Sequence, residues 1–157
     1  MKSRLFFSAV AVLMGLSVCY AQKTISGFEA PESIIKSGDR LFVSNMGGSK
    51  PDPMVLDGNG FISELSKDGR IIHQKFQKSV LNAPKGLAIV KDVVYVADIN
   101  RVVGFNIHSG EQVFELDIEA KMLNDLCKVD DKHICVTETV SGCWYRTGSV
   151  SPAKREG

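Results

Sequence analysis

The sequence repeats itself, and that repeat limits the fold more than any other feature of the chain. Its clearest copy runs from Leu81 to Asn100. Pro84-Lys85-Gly86 opens the unit with a turn, Leu87-Ala88-Ile89 follows as an apolar strand, and Lys91-Asp92 reverses the chain. Val93-Val94-Tyr95-Val96-Ala97 then forms a β-branched strand that ends at Asp98. Upstream, Pro31-Glu32-Ser33-Ile34 matches Pro84-Lys85-Gly86-Leu87, and Phe42-Val43-Ser44-Asn45 matches Tyr95-Val96-Ala97-Asp98. A third pass begins at Leu123-Asn124-Asp125-Leu126, turns at Asp130-Asp131-Lys132 and reaches Ile134-Cys135-Val136-Thr137-Glu138.

Further strands read from composition and turn chemistry are Arg40–Asn45, Gly60–Leu65, Arg70–Phe76, Val102–Asn106, Gln112–Leu116 and Cys143–Arg146. Ser37-Gly38-Asp39, Lys67-Asp68-Gly69 and His108-Ser109-Gly110 join them as turns. Gly60–Leu65 alternates apolar and polar residues, as a strand does. Met46–Met54 holds two glycines and two prolines and is a long loop. Leu87 to Leu126 spans 39 residues, and Pro31 to Pro84 spans 53 because of that loop. A period near 40 with four short strands per unit is the signature of a β-propeller blade.

The predicted fold class is therefore all-β, with about three four-stranded antiparallel blades of a six-bladed type forming an incomplete ring over residues 22–146. Burial gives the reason for repetition. One such sheet has two apolar faces and covers neither alone, so each blade needs neighbours. Three blades leave two end faces bare. The expectation is either an interrupted gene product or self-association through the exposed blade faces, two copies making a ring of six.

Lys2 and Arg4 followed by the apolar run Leu5–Val18 read as a signal peptide over residues 1–21, cleaved after Ala21. Fourteen apolar residues are too few for a membrane span. The location expected is periplasmic or secreted, with a lipid anchor at Cys19 as the alternative. Residues 147–157 lose all alternation and read as a disordered tail. After Ala21, 17 basic residues face 18 acidic ones with no basic stripe, which gives nucleic-acid binding no electrostatic support. Cys127 and Cys135 flank the Asp130-Asp131-Lys132 turn symmetrically, either as a cross-strand bridge or as two small buried thiols. Cys143 makes the number odd.

Several phrases in order resemble one family: Glu29-Ala30-Pro31-Glu32-Ser33, Val43-Ser44-Asn45, Asp57-Gly58-Asn59-Gly60-Phe61-Ile62-Ser63, Leu81-Asn82-Ala83-Pro84-Lys85-Gly86 and Leu123-Asn124-Asp125. They are similar to the senescence-marker-protein, gluconolactonase and luciferin-regenerating-enzyme propellers, neighbours of the NHL-repeat proteins. The resemblance implies a six-bladed propeller with Ca²⁺ or another divalent cation at the channel mouth, where it polarises a lactone carbonyl and activates water. It implies Glu29 and Asn124 as metal ligands and Asp125 as a residue that orients neighbouring backbone. Ala30 departs from the family, which has glycine there. The family's remaining ligand and its carboxylate base correspond to later blades.

By the internal repeat Lys85 shares a column with Glu32 and Asn124, and Glu32, Lys85 and Asp125 form the candidate ligand-binding set. An ammonium there repels a cation and pairs with Glu29 or Glu32. Glu29 and Glu32 also read as solvated loop carboxylates, and Asn124 as a turn residue. Asn45, Asp98 and Glu138 share a second column at a strand end, where residues tie blades together or cap turns. Trp144 and Tyr145 are either channel aromatics or strand packing. The functional expectation is a small-molecule binding propeller without independent catalysis. The alternatives are a metal-dependent hydrolase of a sugar lactone or related ester, active as an oligomer, and an NHL-like interaction scaffold using the Met46–Met54 loop.

Overall fold

The structure is a computed structural model and describes residues 22–147. The expected signal peptide, the Cys19 anchor and the tail beyond Thr147 lie outside the described residues. Thr147 itself does not belong to a free tail. It is buried, and its N–H bonds the Ile134 carbonyl at 3.0 Å.

The described residues hold strands and no helix. The first blade orders β1 (Pro31–Ser37), β2 (Arg40–Asn45), β3 (Phe61–Ser66) and β4 (Ile71–His73). The second orders β5 (Pro84–Val90), β6 (Val93–Asp98), β7 (Arg101–Asn106) and β8 (Gln112–Asp117). The third supplies three strands among the described residues, β9 (Leu123–Lys128), β10 (Ile134–Glu138) and β11 (Cys143–Arg146). Every pairing is antiparallel between neighbours in sequence, as hairpin turns permit. The strand expected over Arg70–Phe76 shrinks to Ile71–His73. Phe76 leaves it to bond the Ile62 carbonyl through its N–H and to set its ring edge-on against Phe42, centroids 5.1 Å apart.

Register shows that the three passes are one unit. Pro31 faces Asn45, Pro84 faces Asp98 and Leu123 faces Glu138, each beside a bulge in the ladder. Glu32, Lys85 and Asn124 therefore occupy the same place in their blades.

The core lies between blades. Because side chains alternate along a strand, the middle blade serves both neighbours. Val94 and Val96 of β6, with Val103 and Phe105 of β7, pack toward Phe42, Ile62 and Phe76 of the first blade. Val93, Tyr95 and Ala97 of the same strand pack toward Leu123, Leu126, Ile134 and Val136 of the third. Each fully buried side chain of this size contributes about 1.5–3 kcal/mol, so blades β5–β8 and β9–β11 hold one another in place.

The same stacking buries β3 on both sides despite its polar members. Phe61 to Leu65 are all buried. The polar members survive burial because each is paired: Ser63 Oγ donates to the Gln74 carbonyl, and Glu64 accepts from Arg40 at 2.9 Å and lies 2.7 Å from His73 Nδ1. The outer flank of the first blade carries a groove of about 410 Å³ lined by Ile25, Phe28, Ile34, Leu41 and Leu65. Segment 22–28 lies along it, anchored by Lys23 Nζ on the Asp68 carbonyl. On the third blade, Trp144 stands 66% exposed on an outer strand, so it is neither a channel aromatic nor packed; Tyr145 is half-buried and its hydroxyl donates to the Glu119 carbonyl.

Candidate functional site

Each inner strand is aimed by the residue that ends its partner strand. The Asn45 Oδ1 accepts the Glu29 N–H at 3.1 Å. The Asp98 Oδ1 accepts the Asn82 and Ala83 N–H groups at 2.9 Å each, and Glu138 Oε1 accepts the Met122 N–H at 3.0 Å. All three acceptors are buried, and a loop N–H lost to water there needs such a partner. The column expected to be structural is structural. It clamps the chain two or three residues before Glu32, Lys85 and Asn124.

The residue types differ for local reasons. Asp98 faces Arg101, whose Nε and Nη2 donate to its Oδ2 at 3.1 and 2.9 Å. Asn45 needs donors as well, and its Nδ2 serves the Val43 carbonyl and Ser63 Oγ. Glu138 is longer and also takes the N–H groups of Val140 and Ser141 and the Ser141 hydroxyl. The Ser141 hydroxyl foremost, with these backbone donors, holds its carboxyl down at about 2.

So aimed, β1, β5 and β9 bring their first residues together around a polar cavity of about 260 Å³, lined by Glu32, Ser33, Lys85, Gly86, Asn124 and Asp125. Close approach of the strands requires Gly86. A Cβ there would sit 2.4 Å from the Asp125 Cα and 2.6 Å from the Leu126 nitrogen. Ser44 ties the first two inner strands, donating from Oγ to the Lys85 carbonyl at 2.6 Å while accepting the Ser33 N–H at 3.1 Å. Thr137 Oγ1 accepts the Asp125 N–H, the matching bond in the third blade.

Lys85 is 4% exposed. Its ammonium pairs with neither Glu29 nor Glu32, contrary to the sequence expectation. Nζ instead donates to the Pro53 and Ala83 carbonyls, both at 3.1 Å. Desolvation pushes its pKa below the ordinary lysine value, opposed by the charges of Glu32 and Asp98. The long loop after β2 is thereby latched over this end of the inner strands through Pro53. Asp125 Oδ1 accepts the Leu126 N–H at 2.8 Å.

Glu29 stands apart from the cavity lining. Its carboxylate accepts the Gly48 N–H at 3.2 Å, and its carbonyl accepts the Gly47 N–H. Ala30 beside it has φ +49, the left-handed conformation that glycine adopts without strain, which explains what a glycine would do there. The structure brings Glu32, Lys85, Asn124 and Asp125 together, as the repeat column suggested, and sets Glu29 apart from Asn124, with which the family resemblance had joined it as a metal ligand. Ser33, Gly86 and Ser44 were missed, although the repeat puts Ser33, Gly86 and Asp125 in one column.

The donors present fit a hard cation poorly. Ca²⁺ wants six to eight oxygens, whereas this lining mixes three oxygen-bearing side chains besides Ser33 with a buried ammonium. Among the described residues no group of three or more His, Cys, Asp or Glu side chains is placed to hold a metal.

No family model matches the chain, and no curated protein matches it in sequence. Solved structures do match in fold. The computationally designed Ika4 protein aligns over 76% of this chain and 66% of its own, at 11% identity and TM-score 0.56. The designed Ika8 protein aligns over 75% of this chain and 33% of its own, at 12% identity and TM-score 0.55. A Bacteroides fragilis protein described as exported aligns over 74% and 32%, at 12% identity and TM-score 0.53. The chain therefore spans about a third of two of these structures and under two thirds of the other. At such identity the likeness establishes the fold, which is that of β-propeller blades.

Proposed function

We propose that this chain is the ligand-binding portion of an exported β-propeller, and that its polar cavity holds a small, multiply hydroxylated or carboxylated molecule. The observation that carries the proposal is the convergence of one repeat column: Glu32, Lys85 and Asn124, with Asp125, reach a single recess from three separate blades. Acceptors and amide groups on several sides, over a floor of inner strands, suit a ligand that both donates and accepts hydrogen bonds. The buried ammonium is committed to two carbonyls, so it shapes the recess and sets its charge. The described blades bind and orient; the gluconolactonase-like reading, in which a divalent cation and a base act on a lactone, would draw its remaining groups from elsewhere.

Calorimetric titration with a panel of sugar acids, lactones and neutral sugars tests this. A sugar acid or sugar that binds the native chain, and binds at least tenfold more weakly to Asp125→Asn or Asn124→Ala, is the expected result. The same titration with Ca²⁺ separates the metal-dependent reading, since a cation-dependent rise in Tm that Asp125→Asn removes would favour it. Binding that survives both substitutions unchanged would place the ligand elsewhere and end the proposal.

A further inference from the structure

Cys127 and Cys135 lie directly opposite each other on β9 and β10. Opposed residues of an antiparallel pair point to the same face. Which kind of pair they form follows from the neighbouring bonds. The Ile134 carbonyl accepts from Thr147, on the β11 side, so the backbone groups of Ile134 face away from β9. Those of Cys135 then face β9, and the Val129 N–H to His133 carbonyl bond two rungs along has the same sense. Cys127 and Cys135 are thus a hydrogen-bonded pair, whose Cα atoms sit about 5.5 Å apart. That separation falls inside the range a disulfide spans.

The burial expected for these thiols is not found. Cys127 is exposed and Cys135 half-buried, and both are free. They stand on the face of the third blade turned away from the second, since Leu126, Ile134 and Val136 fill the inner side. Cys143 cannot compete for either. It pairs with Glu138, three rungs from the Cys135–Arg146 rung, about 10 Å along the strand.

We infer that Cys127 and Cys135 are a dithiol–disulfide site, oxidised by exchange with a small disulfide or with the disulfide of a thiol oxidoreductase. The exposed Cys127 thiolate attacks one sulfur of the incoming disulfide and expels a thiolate, leaving a mixed disulfide on Cys127. The Cys135 thiolate then attacks the Cys127 sulfur and expels the second thiolate. Two cysteines are oxidised, one disulfide is reduced to two thiols, and the protons of Cys127 and Cys135 end on those thiols. The product clips the β9–β10 hairpin shut beyond the Asp130-Asp131-Lys132 turn.

The test is incubation of the reduced, folded chain with excess oxidised glutathione, followed by acid quench and a tryptic digest without reductant. The expected product links peptide 122–128 to peptide 133–146 and disappears after dithiothreitol. Since Cys143 shares a peptide with Cys135, the digest is repeated on Cys143→Ser, which should give the same link. Cys127→Ser should abolish it while keeping the β-sheet circular dichroism. Glutathione that remains attached to Cys127 with no linked peptide, or a link that vanishes in Cys143→Ser, would overturn the assignment.

Discussion

Truncating Asp98 to alanine should be the most costly single change in the second blade. Its side chain is fully buried and accepts from Asn82, Ala83 and Arg101. Alanine strands two backbone N–H groups, of which the Ala83 donor is buried, and each such loss costs about 1–3 kcal/mol. Arg101 keeps Glu115 at 2.9 Å but loses its buried partner, and breaking a buried pair costs about 3–5 kcal/mol. These overlap, so the net expectation is about 3–5 kcal/mol, a large share of the roughly 5–15 kcal/mol that holds a domain folded. Asp98→Asn keeps an oxygen for the two amides and gives up the charge facing Arg101, so it should cost about half as much. Urea unfolding followed by circular dichroism reads both, provided the m-value is unchanged. A loss under 1 kcal/mol for alanine would refute the clamp. Equal losses for alanine and asparagine would show that the ion pair, and not capture of the loop amides, is what matters.

Two further outcomes follow from the same geometry. The Glu138 carboxyl is held at about 2 against an ordinary 4.5, so its contribution to stability is complete above pH 4.5 and is lost as pH falls toward 2; acid unfolding of Ser141→Ala should therefore begin at higher pH than that of the native chain, and coincident curves would discard the assignment. Gly86→Ala drives a methyl into the Asp125 backbone at 2.4 Å and should cost about 1–3 kcal/mol; native-like stability in urea would mean the second and third blades are not packed as closely as described.

Local rules made the strands legible. Lys91-Asp92 and Gly-containing turns, with β-branched runs such as Val93–Ala97, set the bounds of β6 and β7 nearly residue for residue, whereas Pro84-Lys85-Gly86, read as a turn, is extended and forms the start of β5. The candidate recess was legible for the same reason: repeating units place repeating positions alike, so the sequence alone aligns Glu32, Lys85 and Asn124. What local rules could not reach is partnership across the chain. Lys85 looked like a partner for Glu29 or Glu32, yet its ammonium reaches Pro53, in a loop whose path no periodicity describes. Glu64 is a polar member of an alternating strand, and nothing local says that Arg40 and His73 pair with it inside.

By itself, then, the sequence determined the unit: strand order, turn positions, a period near 40 and the two columns that each blade repeats. Only the tertiary structure decided which column lines the recess and which clamps the loops, because that depends on side chains meeting from segments tens of residues apart. It also decided that the middle blade is buried on both faces while Ile34 and Trp144 stay exposed at the two ends. Alternation along a strand says which side chains share a face; the hydrophobic effect acts only once another sheet arrives to cover it.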